Sequence, residues 1–133
     1  MDAPVPTALV TKRACLAQVQ ICALGCCCGR TDRRKPAVPV DALKAAWKAR
    51  ALMKTVQLTF AGCLGPCDLV NVVAVMTADG ATTWLGGLVD RERFLELADW
   101  ADAVRDAGTP LPLPASLLAH RFDRWLAPVA APT

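Results

Sequence analysis

TVQLTFAGCLGPCDLVNVVAVMT, residues 55–77, holds two strand-like runs on either side of a cysteine loop. It opens with TVQLTF (55–60), a β-branched and aromatic stretch that reads as a strand. It closes with NVVAVMT (71–77), a nearly unbroken apolar run of the kind found in a strand buried on both faces. Between them GCLGPC (62–67) sets two cysteines four positions apart among two glycines and a proline. Those residues break helix and strand alike, so the cysteines ride on a loop held in a special shape.

Downstream, Ala78-Asp79-Gly80 predicts a hairpin turn, because Asp-Gly supplies the backbone angles a tight connection needs. ATTWLG (81–86) is then the returning strand. Asp90 is expected to cap a helix running to about Ala107, with Phe94, Leu97, Ala98, Ala101 and Val104 as its apolar stripe and Gly108 as its stop. Upstream, LAQVQIC (16–22) alternates apolar and polar residues, the pattern of a half-buried strand, and delivers Cys22 at its end. Residues 23–39 read as a loop. Asp41 is the expected N-cap of DALKAAWKARALM (41–53), whose Leu43, Ala46 and Trp47 fall on one side at helical spacing. Trp47 reads as a core anchor. The resulting order is β-α-β-β-β-α. A helix links the first two strands, so they should be parallel neighbours, with the 71–86 hairpin adding antiparallel strands to a small mixed α/β sheet.

The ends are different in kind. Residues 1–14 carry no periodicity and are expected to be a flexible tail. TPLPLP (109–114) has proline at every second position, a stiff extended linker. ASLLAHRFDRWLA follows as an expected C-terminal helix, so 109–133 is a Pro-rich linker with a helical tail. Its Leu117, Leu118, Phe122, Trp125 and Leu126 are expected to dock on the body, although the same face would suit a homodimer. His120 is the only histidine. It lies far along the chain from the cysteines and reads as a surface residue.

Bulk composition narrows the function. The chain has 133 residues, one domain's worth, with 54% hydrophobic residues and a net charge of +3. The one basic run, Arg30, Arg33, Arg34 and Lys35, lacks interleaved aromatics, which argues against a nucleic-acid binder. Residues 14–28, ACLAQVQICALGCCC, end like a lipoprotein signal. However, Gln18 and Gln20 interrupt the apolar segment, and prolines stand in its start. No run approaches the roughly 18 apolar residues of a membrane span. A cytoplasmic protein without a membrane span is expected.

Seven cysteines are present, an odd number, and all but Cys15 fall in two clusters, ICALGCCCGR (21–30) and GCLGPC. Clustering of this kind points to metal ligands, whereas a secreted disulfide scaffold spreads its cysteines. Cys22 ends the first strand, and Cys63 and Cys67 follow the second. In parallel neighbours those ends share one edge of the sheet, so the two clusters can meet there. Four thiolates hold either a [2Fe–2S] cluster or a structural zinc ion. The loop leans toward iron–sulfur, because Gly62 and Gly65 leave backbone N–H groups able to approach cluster sulfides, while Leu64, Leu69 and Val70 partly dry the site. Cys15 reads as a small hydrophobe.

With these residues assembled, the chain resembles the thioredoxin-like [2Fe–2S] ferredoxins over residues 16–106. That family includes the small peripheral [2Fe–2S] subunit of respiratory complex I. Its Cys-x4-Cys and Cys-x3-Cys half-sites correspond here to Cys22-x4-Cys27 and Cys63-x3-Cys67, with 35 residues between the half-sites. The resemblance implies a thioredoxin-like sheet over 15–108 and a [2Fe–2S] cluster on Cys22, Cys27, Cys63 and Cys67. The cysteine triplet departs from the family pattern. Spacing selects Cys27, Cys28 is its alternative, and Cys26 and Cys28 are surplus thiols.

The expected role is a ferredoxin, a one-electron carrier serving a partner redox enzyme, with the basic loop 30–35 as a docking rim for an acidic face. It is not expected to be an enzyme in its own right. No Ser-His-Asp set or phosphate loop is present, and Gly86-Gly87 is a strand exit lacking the further glycines of a dinucleotide fingerprint. Two other readings use the same thiolates: a structural zinc interaction module, and a thiol-rich metal or redox sensor. A thioredoxin-type oxidoreductase is disfavoured, since no reactive Cys-x-x-Cys opens a helix.

Overall fold

The computed structural model describes residues 9–23 and 36–126. Cys26, Cys27, Cys28 and the basic loop 30–35 lie outside the described residues.

Among the described residues five strands and three α-helices follow one another: β1 (Ala17–Cys22), α1 (Val40–Ala49), β2 (Val56–Ala61), β3 (Val73–Thr77), β4 (Thr82–Leu85), α2 (Arg91–Ala107), α3 (Ala115–Leu118) and β5 (Arg121–Phe122). The strands form one open mixed sheet in the order β2-β1-β3-β4-β5. As the sequence predicts, β1 and β2 run parallel, in a register that sets Ala17 against Val56 and Cys22 against Ala61. The remaining neighbours are antiparallel.

Alternation along the strands builds the core. In β1, Ala17, Val19 and Ile21 point to one face and are buried, while Gln18 and Gln20 point to the other. The buried face joins Val56, Leu58, Val73, Val75 and Leu85 in one cluster with Leu43 and Trp47 of α1 and the whole predicted stripe of α2. Both long helices therefore cover the same face. Each fully buried Leu, Phe or Val contributes roughly 1.5–3 kcal/mol of hydrophobic stabilisation. Trp100, also largely buried, donates its indole N–H to Leu111 O at 2.9 Å, which holds the proline-rich segment against α2. Gly108 ends α2 at φ 69°, the left-handed value expected of it.

Several expectations need correction. Asp41 does not cap α1. The helix begins one residue earlier behind Pro39, and Asp41 sits in its first turn, where its charge complements the helix dipole. Nor does α1 reach residue 53. It stops at Ala49 because Ala51 turns to φ 52° and Leu52 donates to Trp47 O, which drops Leu52 fully into the core. The C-terminal segment is helical only over Ala115–Leu118. Leu117 enters the main core, and the chain then extends so that Arg121 and Phe122 pair with Leu85 and Trp84. Pairing occupies backbone groups of β4 that would otherwise form an open edge. Trp125 and Leu126 remain exposed rather than docked. His120 is half-buried, with Nδ1 3.0 Å from Gly86 O, instead of standing free on the surface. Among the described residues no helix is long and apolar enough to cross a membrane.

Candidate metal centre

The site follows from the strand order. Because β1 lies between β2 and β3, the connection from Ala61 to Val73 has to cross the C-terminal end of β1. That connection carries GCLGPC, and the end it crosses is Cys22. The crossing is tied down on both sides. Cys22 donates its N–H to Val72 O at 2.9 Å, and Ala23 donates to Ala61 O at 3.0 Å. The residue entering the cysteine loop and the residue leaving it thus both grip the strand end below.

Cys22 points to the sheet face opposite the main core. It is 1% exposed and forms a small apolar cluster with Val72, against which Leu64, Leu69, Val70, Trp84 and Phe122 pack. Cys63 is exposed, two residues beyond β2. Cys67 opens a single 3₁₀ turn, Cys67–Leu69, in which Leu69 donates to Pro66 O. Cys15 is half-buried just before β1.

The loop's shape is enforced by its backbone. Gly65 has φ 118°, a conformation that side chains rarely adopt. After the 3₁₀ turn, Val70 at φ 33° and Asn71 at φ 49° also lie in the left-handed region. For a β-branched residue such as Val70 that is strained, at about 1–3 kcal/mol. Partners hold the strain in place. Gly87 N–H is shared between Leu69 O and Val70 O, and the fully buried Asn71 donates its amide to Leu88 O at 2.8 Å.

The C-terminal strap completes the site. Arg124 donates from Nη1 to Leu64 O at 2.9 Å, and its guanidinium lies 4.6 Å from the Trp84 ring centroid. An added Cβ on Gly65 would sit 2.8 Å from Arg124 Nη2, so the strap lies directly on the loop. Gly86 leaves similar room for Leu69 and Phe122, each 3.1 Å from where its Cβ would be. The Trp84 indole N–H is buried and has no acceptor among the described residues. An unpartnered buried donor is costly, so an acceptor at this spot would be favourable.

The structure therefore brings Cys22 beneath the loop that carries Cys63 and Cys67. Among the described residues no three cysteine, histidine or acidic side chains converge on one point. The expected ligand Cys27, its alternative Cys28 and the side chain of Cys67 lie outside that description. Sequence reasoning missed Asn71, Trp84 and Arg124. Asn immediately before an apolar strand was a readable signal for a left-handed residue, whereas the contact between Arg124 and Leu64 spans 60 positions and left none. Searches of family models, curated proteins and solved structures return no match to this chain.

Proposed function

We propose that the chain is a thioredoxin-like [2Fe–2S] ferredoxin, a one-electron carrier that serves a partner redox enzyme and is not itself an enzyme. Cys22, Cys63, Cys67 and one thiolate of the 26–28 triplet would hold the cluster, Cys27 by spacing and Cys28 as its alternative. The observation that carries this reading is the passage of the GCLGPC loop over the end of β1 where Cys22 sits. The strand order, with one parallel and two antiparallel junctions around β1 and β3, supports the thioredoxin-like assignment.

The surroundings fit such a group. The apolar side chains around Cys22 lower the local dielectric, and the orphan Trp84 N–H is a donor suited to a thiolate or sulfide acceptor. When bound, a [2Fe–2S] cluster supplies a site that takes up and releases one electron reversibly. The chain's own contribution is to hold the loop rigid through Gly65, Asn71 and Arg124. It also keeps water from the Cys22 side while leaving the Cys63 side near the surface, where a partner can approach.

The deciding measurement is the visible and EPR spectrum of anaerobically purified protein before and after dithionite. The expected result is a brown protein that bleaches and develops a rhombic S = 1/2 signal, lost in Cys22→Ser and Cys63→Ser. A colourless protein carrying stoichiometric zinc would instead make these thiolates a structural module. A protein with neither metal would end both readings.

A further inference from the structure

A second surface lies on the other side of the molecule's cysteine loop, along the free edge of β2. Thr55 O and Ala61 O turn toward β1 and its continuation. Alternation therefore turns the backbone groups of Val56, Leu58 and Phe60 outward. Two of these groups are covered by side chains. Trp47 donates its indole N–H to Val56 O at 2.8 Å in a buried bond, which closes the start of the edge. Among the described residues Leu58 N–H meets only the Met53 sulfur, at 3.3 Å. A thioether is a weak acceptor, and Met53 is 51% exposed, so this cover is easily displaced. Among the described residues the Leu58–Phe60 half of the edge is thus open to a better partner.

A groove of about 570 Å³ runs beside that half, between α1 and β2. Leu58, Phe60 and Met53 form its apolar floor, and Lys44, Lys48 and Lys54 stand along its rim, with no acidic residue in the lining. Lys44 Nζ lies 5.7 Å from the Phe60 ring centroid. None of the three lysines makes an ion pair among the described residues.

We propose that this edge binds an extended acidic segment of a partner protein, which adds a strand to β2. The open N–H and C=O groups would supply the pairing. Alternate apolar side chains of the segment would enter the groove, and its Asp or Glu residues would face the lysines. The same lysines repel a second copy of this chain and so disfavour edge-to-edge self-pairing. A fatty acid has no backbone groups to pair with this edge, which favours a peptide. The surface stands on the edge strand alone and does not depend on the cluster. Because β2 leads into Gly62 and Cys63, a strand docked here ends beside the cysteine loop.

The test is to pan the full chain against a phage-displayed library of random linear peptides and characterise the enriched sequences as synthetic peptides. The expected peptides alternate apolar and acidic residues and slow amide exchange at Leu58 and Phe60. The paired substitution K44E/K48E should weaken them roughly tenfold or more, whereas K12E, a charge change outside the groove, should not. N-methylation of alternate peptide amides should abolish binding without touching the protein's fold. No enrichment, enriched peptides that bind as helices, or equal binding to K44E/K48E and K12E would overturn the proposal. Decanoate shifting the Met53 methyl resonance while no peptide does so would assign the groove to a small amphiphile and overturn it as well.

Discussion

Asn71 shows how one residue can hold a loop in shape. It stands at φ 49°, follows the strained Val70, and sends its amide to Leu88 O from a fully buried position. Asn tolerates the left-handed region better than other non-glycine residues, so the backbone need and the hydrogen bond select the same side chain. Asn71→Ala should cost about 1–3 kcal/mol in denaturant unfolding, because it leaves Leu88 O unsatisfied and puts Ala in an unfavourable conformation. Asn71→Gly should recover only the backbone part of that loss. Equal stability of the two variants would mean that the left-handed backbone costs nothing, and an Asn71→Gly variant as stable as the unchanged chain would mean that the hydrogen bond contributes nothing. At this scale the cysteines were legible, since spacing alone singles them out. Arg124 was not, because its partner Leu64 is brought near only by the fold.

Among the elements, the 78–80 turn was the most readable. Asp79 and Gly80 occupy it as expected, with Gly80 at φ 92°. The Asp79 carboxylate accepts hydrogen bonds from Thr77 Oγ1 and from Ala81 N–H, and these bonds, the Thr77 bond first, hold its pKa below the ordinary value of 3.8. A depressed folded-state pKa stabilises the fold above the unfolded value and loses that effect as pH falls through the folded one. The hairpin should therefore keep its full stability above about pH 5 and loosen only in acid below 3.8. An NMR titration should place the Asp79 midpoint below 3.8, and Asp79→Asn should remove the acid-dependent rise in amide exchange at Ala81. A midpoint at or above that value would refute the assignment. The C-terminal helix was the least readable element. Leu117, Leu118, Phe122 and Trp125 form a plausible helical stripe, but the free edge of β4 offers Arg121 and Phe122 a ladder that an isolated helix cannot match.

For the whole molecule, the strap beyond His120 joins the sheet edge to the cysteine loop through Phe122, whose ring centroid is 6.3 Å from that of Trp84, and through Arg124. A chain ending at His120 should keep its α/β body by circular dichroism and lose about 1–3 kcal/mol of stability. Its amide exchange should rise at residues 63–69 while α1 and α2 stay protected. Unchanged exchange at 63–69 would show that the strap does not hold the loop. The alternating strands, the stripe of α2, the turn chemistry and the cysteine spacings can all be read along the chain, because each is a local pattern whose period or backbone angle is written in neighbouring residues. Long-range packing instead sets β1 between β2 and β3, which sends GCLGPC across Cys22, turns the last segment into a fifth strand, and leaves β2 with an open edge among the described residues. Those outcomes depend on which strand edges and apolar faces find partners across the whole chain, and no stretch of sequence carries that information alone.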